Sequence, residues 1–210
     1  MSSLVQVANI THLHHAQAIC NMMAEAAKKR GTGIAKRKPE YLSKKIEEGK
    51  AVIALAEDKP IGFCYIESWS NHEYVANSGL IVHPDFRHTG LAKEIKKKVF
   101  ELSKSKFPSA KLFGITTSLA VMKINSDLGY KPVTFSELTK DDEFWDGCKS
   151  CPNYDILQRT NKSMCLCTGM KCDLSQVKMP NDKKGAWNTF KEFVQKRKIK
   201  KAEKLNLKQK

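Results

Sequence analysis

A chain of 210 residues with 41% hydrophobic content is long enough to bury one sizeable core, and its 28% charged content implies that part of it lies outside that core. No apolar stretch approaches the roughly 18 uncharged residues that a membrane crossing needs, and the start, MSSLVQVANITHLHH, lacks a basic-then-apolar signal pattern, so the expectation is a soluble cytoplasmic protein with no membrane contact. The net charge of +15 admits an anionic substrate, a nucleic acid or a merely solvated surface, but much of it is terminal: Asn181 to Lys210 carries eleven Lys or Arg against three acidic residues, a net of +8.

In chain order, VQVANI alternates like a strand, and Thr11 is a reasonable cap for a helix reaching Arg30 with Leu13, Ala16, Ile19, Met23 and Ala26 on one face. On that helix His12, His14 and His15 cannot all face one way and read as surface residues. GTG interrupts the pattern, and a short helix follows from Pro39 to Gly49 with Tyr41, Leu42 and Ile46 inward. AVIALAE and IGFCYIE, separated by DKP, read as an antiparallel hairpin, and YVANSGLIV is a third extended segment ending at His83-Pro84. A helix over Gly90–Lys104 puts Leu91, Ile95, Val99 and Leu102 on one face and Lys93, Lys96 and Lys97 elsewhere. KLFGITT is a further strand, SLAVMKINSDLGY a helix ending at Gly129, and PVTFSEL a last strand, giving the order β-α-α-β-β-β-α-β-α-β.

The segment SGLIVHPDFRHTGLAKE joins a strand end to a helix start. Free amides at a helix start supply donors and positive potential for a phosphate, and Gly90 allows close backbone approach and dihedrals that other residues avoid. VHPDFRHTGLA resembles motif A of the GNAT superfamily of N-acyltransferases, R/Q-x-x-G-x-G/A, and the element order over residues 1–139 is similar to that fold.

The resemblance implies an α/β (α+β) class, with a mixed, mostly antiparallel central sheet flanked by helices over residues 1–140, and acetyl-CoA as cosubstrate. By it, the amides of His88, Thr89, Gly90, Leu91 and Ala92 hold the pyrophosphate, with Arg87 adding charge. The backbone of Ile81 and Val82 pairs with the pantetheine arm, and Lys93, Lys96 or Lys97 reaches the nucleotide phosphate. Many members place a tyrosine as the thiol's proton donor where this chain has Asn125, which can hydrogen-bond the thiol or pantetheine but cannot act as an acid, so water is the expected donor.

LFGITTSLAVMKINSDLGYKPVTFSEL is similar to the acetyltransferase domain of N-acetylglutamate synthases, with Ser118 where those usually have arginine. That similarity implies a glutamate-like amine acceptor and a place in arginine biosynthesis. Arg30, Lys36 and Arg37, in KKRGTGIAKRK, are the candidate partners of the acceptor's carboxylates. Glu73 is the first candidate base and Glu67 the second.

Five of the seven cysteines fall between Cys148 and Cys172. Cys148-x2-Cys151 and Cys165-x-Cys167 form two close pairs, as a structural zinc site uses, with Cys172 as a spare; packed thiols and a Cys148–Cys167 disulfide are the alternatives. Residues 141–175 therefore read as a small Cys-rich C-terminal appendage, and 176–210 as a basic helix running into an irregular end, anchored by Trp187, Phe190 and Val194.

The expected partner is a small-molecule amine, with weak nucleic-acid contact through the tail and a homodimer carried beside it. The competing readings are a nucleic-acid or ribosome-binding module built on the tail and the cysteine element, and acetylation of a protein or antibiotic amine.

Overall fold

The computed structural model describes residues 4–30 and 37–177. The tail beyond Val177, Lys36 and the side chain of Arg30 lie outside the described residues, and with them the readings placed on them.

Seven strands form one sheet: β1 (Leu4–Val7), β2 (Ala51–Ala56), β3 (Lys59–Trp69), β4 (Tyr74–Val82), β5 (Lys111–Thr116), β6 (Lys131–Val133) and β7 (Thr168–Asp173). Their order is β1-β2-β3-β4-β5-β7-β6, antiparallel throughout except for the parallel β4–β5 pair. AVIALA in β2 is an unbroken apolar run rather than an alternating one because helices cover both faces of the sheet.

On one face, Val52, Cys64, Ile66 and Val75 pack against Ile95, Val99 and Phe100 of α3 (Leu91–Lys106). On the other, Ile53, Phe63 and Tyr65 pack against Ile19 and Met23 of α1 (Ala16–Arg30) and Leu42 and Ile46 of α2 (Pro39–Glu47). The i, i+4 spacing of Leu42 and Ile46, with proline at the helix start, explains why α2 forms where it does. α4 (Leu119–Asp127), α5 (Asp142–Asp146) and α6 (Tyr154–Arg159) complete the described helices.

Three local readings change. The first helix does not begin at Thr11: Asn9 caps a 3-10 turn over Ile10–His15, its side chain accepting from the Thr11 amide at 3.0 Å, and α1 starts at Ala16. His12 and His15, three apart on that turn, are buried rather than on the surface. PVTFSEL is extended only to Val133, after which a Thr134/Glu137 capping box winds Phe135–Glu137 into a 3-10 turn. The third change is larger. TGMKCD, within the cysteine-rich segment, is strand β7, inserted between β5 and β6, with Met170 and Cys172 in the main core. Residues 141–175 thus contribute a strand to the same sheet as residues 4–133.

Candidate active site

β4 and β5 pair only over Tyr74–Ala76 and Lys111–Phe113. Beyond Ala76 the two strands diverge, and the edge of β4 that faces β5 has no strand partner among the described residues. A β-bulge on the other edge assists the divergence: Phe63 pairs with Ile81 and Tyr65 with Ser78, leaving Gly79 and Leu80 opposite Cys64 alone. Gly79 takes φ +65°, and a Cβ there would lie 2.4 Å from Tyr65 Cε1 and 2.8 Å from Met23 Cε, so both dihedral and space demand glycine. The opening is a cleft of about 320 Å³.

The open edge of β4 leads into the turn before α3. Pro84–Phe86 is a 3-10 turn, Thr89 Oγ1 donates to Phe86 O at 2.8 Å, and Arg87 Nε donates to Val82 O at 3.4 Å. His88 (φ +64°) and Gly90 (φ +91°) are both left-handed. Arg87 N donates to Pro84 O and Lys93 N to Gly90 O, but the five amides between them, His88 to Ala92, have no acceptor among the described residues. Five unpaired donors at the start of a 16-residue helix, two of the residues in left-handed geometry, form a concave anion site. A Cβ on Gly90 would meet nothing within 4 Å, so there the demand for glycine is conformational and the space in front of it stays open to a ligand. An anionic pyrophosphate followed by an extended amide-bearing chain fits this turn and the open edge of β4.

The cleft itself is lined largely by side chains. Arg37 Nε donates to Tyr65 OH at 2.7 Å, and the guanidinium lies 5.4 Å from the centre of the Tyr41 ring. Glu67 sits beside them, 9% exposed, with Oε2 accepting from Lys45 Nζ at 2.7 Å and a buried Oε1 that has no hydrogen-bond partner. Burial shifts both members of this pair toward neutrality, the Glu67 carboxyl up to about 7 and Lys45 below its ordinary value; the Arg37 charge opposes the rise at Glu67, and Glu143 adds to it. Thr116, Thr117 and Ser118 form the β5 wall, where Ser118 caps α4 by accepting from the Val121 amide. Phe144, Cys148, Cys151 and Cys167 close the far side, so the cysteine-rich segment walls the cleft.

The family model described as acetyltransferase (GNAT) matches residues 17–120. The chain carries a GNAT-family acetyltransferase domain. Among solved structures it is similar to the N-acetylglutamate synthase of Neisseria gonorrhoeae, complexed with coenzyme A and N-acetyl-glutamate, at 15% identity and a TM-score of 0.58 over 83% of this chain and 35% of that one. The chain thus spans about a third of that synthase's length. A phosphinothricin acetyltransferase from Sinorhizobium meliloti in complex with AcCoA aligns at 13% identity and a TM-score of 0.56, over 87% of this chain and 95% of that one. The ribosomal-protein-S18-alanine N-acetyltransferase of Escherichia coli aligns at 13% and 0.51, over 84% and 97%. Identities this low show a shared fold. No curated protein matches the chain by sequence.

Within the GNAT domain the residues expected for the donor fall together: Ile81 on the open strand edge, Val82 at its end, and Arg87 to Ala92 in the turn that follows. The acceptor residues divide differently. Glu73 is exposed at the entry to β4, paired with Lys111 at 2.8 Å, and does not line the cleft; Glu67 does. Asn125 is buried behind the cleft wall, its Nδ2 3.7 Å from Met170 Sδ and its Oδ1 without a partner. Of the three basic residues, Arg37 lines the cleft.

Lys96, read as pointing outward, is 3% exposed: its Nζ lies 3.4 Å from Asn77 Oδ1 and 5.2 Å from the centre of the Tyr130 ring, and burial lowers its pKa. Lys93 instead pairs with Asp127 at 2.8 Å.

All seven cysteines are free thiols, so the Cys148–Cys167 disulfide is not formed. Burial, with the neighbouring thiols adding to it, pushes Cys148 up to about 11 and Cys167 up to about 12. Cys148, Cys165 and Cys167 pack against the cluster of Phe113, Trp145 and Leu157. Among the described residues, the group whose ligand atoms all converge within 4.8 Å is not made of these sulfurs.

Proposed function

We propose that this domain transfers the acetyl group of acetyl-CoA to the amine of a small amino-acid-like acceptor, with a glutamate-like acceptor favoured. The observation that carries the reading is a cleft along the open edge of β4 whose wall holds a cation, Arg37, beside a carboxyl group near neutrality, Glu67, while the same strand runs on into a row of free amides before α3. The structure of the gonococcal synthase with coenzyme A and N-acetyl-glutamate supports the same acceptor class.

Bound acetyl-CoA would supply the activated acyl thioester. The amides of His88 to Ala92 hold its pyrophosphate, and the backbone of Ile81 and Val82 receives the pantetheine amides. Glu67, about half ionised at neutral pH, takes a proton from the attacking ammonium or amine. A C–N bond forms as the C–S bond breaks, and the departing thiolate is protonated by water, because Asn125 has no acidic proton to give. Arg37, oriented by Tyr65 and Tyr41, faces an acceptor carboxylate.

The test is a thiol-release screen over amino acids, polyamines and aminoglycosides. Release is expected with glutamate or a close analogue. Glutamate failing while another amine works would overturn the acceptor assignment, and failure of the pure protein to bind acyl-CoA at millimolar concentration would overturn the whole reading. Gly90→Glu, which puts a carboxylate in the anion site, is expected to abolish donor binding with the fold retained.

A further inference from the structure

The turn that opens α1 contains a cluster that the acyltransferase chemistry does not use. His14 and His15 end the 3-10 turn, and Asp58 stands at φ +60° in the β2–β3 hairpin turn, more than forty positions along the chain. One ligand atom from each lies within 4.8 Å of the other two. His15 Nε2 is 3.6 Å from Asp58 Oδ1, and the two imidazole centroids are 3.9 Å apart.

Two facts separate this cluster from an ordinary surface grouping. His15 is 5% exposed, and its Nε2 is a buried polar atom with no hydrogen-bond partner among the described residues. A buried imidazole nitrogen left without a partner costs free energy, and an ion would satisfy it. The set is also chemically coherent: two imidazoles and one carboxylate are borderline ligands of the kind that zinc and its neighbours prefer, three protein ligands with a fourth position open to water.

We infer that His14, His15 and Asp58 bind a divalent transition-metal ion of the zinc type. Ligand atoms around such an ion are separated by about 3.3 Å when the bonds are about 2.0–2.1 Å, so the cluster needs only a small closure. His15 is held by packing, while the side chains of His14 and Asp58 are exposed and free to close on it. The ion would tie the entry of α1 to the β2–β3 hairpin. α1 carries Met23, which packs on the bulge at Gly79, so the ion steadies the floor of the cleft without touching it.

The experiment uses the full chain without a histidine tag, stripped with a chelator and titrated with Zn2+ by calorimetry, followed by X-ray absorption at the zinc edge. Saturable binding with a nitrogen and oxygen shell near ~2.0–2.1 Å is expected. Asp58→Asn and His14→Ala, both at exposed positions, should each weaken binding at least about tenfold, and zinc should raise the melting temperature of the wild type but not of these variants. A shell of sulfur near ~2.3 Å, or binding unchanged in both variants, would overturn the assignment. So would no binding at all.

Discussion

Replacing Glu67 by Gln tests the acceptor half of the site. Its carboxyl titrates at about 7 against an ordinary 4.5, because 9% exposure leaves the charged form poorly solvated. If Glu67 accepts the amine's proton, kcat/KM rises with pH up to about 7 and levels above it. Below that point it falls about tenfold for each pH unit. Glu67→Gln keeps the shape and can still accept from Lys45, so the fold should survive. The rate should drop by about 10²–10⁴ and the acid limb should disappear.

Stability moves in a defined direction as well. A carboxyl whose folded pKa is raised contributes stability that is fully present below 4.5 and is lost as pH rises to about 7. The shift from 4.5 to about 7 corresponds to at most roughly 3–4 kcal/mol. Glu67→Gln should therefore flatten the decline of melting temperature between those pH values. Thiol release against pH, read beside thermal melts of the same samples, checks both effects. An acid limb that persists in Glu67→Gln would refute the assignment of the base.

Three further changes test the scaffold. Gly79→Ala places a methyl group 2.4 Å from the Tyr65 ring at φ +65°, so dihedral strain and overpacking together should cost about 2–5 kcal/mol; a thermal melt checks it, at about 2–4 °C per kcal/mol. Lys96→Met removes a buried ammonium that has no carboxylate partner in the described structure, so the melting temperature at neutral pH should rise. Lys96 itself, with its folded pKa lowered, disfavours the fold most at low pH and less as pH climbs, so the gain should shrink in alkaline buffer. Trp145→Phe removes the indole donor to Thr139 O (2.9 Å) at a buried site and should cost about 1–3 kcal/mol by leaving that carbonyl unpaired.

The turn proposed to hold the donor was legible in the sequence because it is local. A strand end, a proline, a glycine and an amphipathic helix start follow one another within 17 residues, and their requirement for left-handed backbone is written in Gly90 itself. The acceptor half depends on tertiary burial. Glu67 outranks Glu73 only once Lys45, Arg37 and Glu143 are brought around it from α2, the segment before it and α5. Strand β7 was missed because TGMKCD has neither β-branched density nor clean alternation, and its cysteine belongs to the sheet rather than to a separate element. Lys96 left one trace, the polar Asn77 in the middle of an apolar strand, which needs buried partners and finds them in Lys96, Ser103 and Tyr130.

The same division governs how substitutions propagate. A change in the 87–92 turn alters amides that touch little else, and its effect should be confined to donor affinity. Tyr41, by contrast, is 5.4 Å from the Arg37 guanidinium, 5.2 Å from the Lys45 ammonium and edge-on to Tyr65 at 6.0 Å. Tyr41→Ala removes the common surface against which both cations are set, so it should raise the acceptor KM through Arg37 and shift the acid limb through the Lys45–Glu67 pair at the same time. Tyr41→Phe keeps the ring and should change neither. A Tyr41→Ala variant that moved only one of the two readouts would show that Arg37 and Glu67 do not share a single acceptor wall.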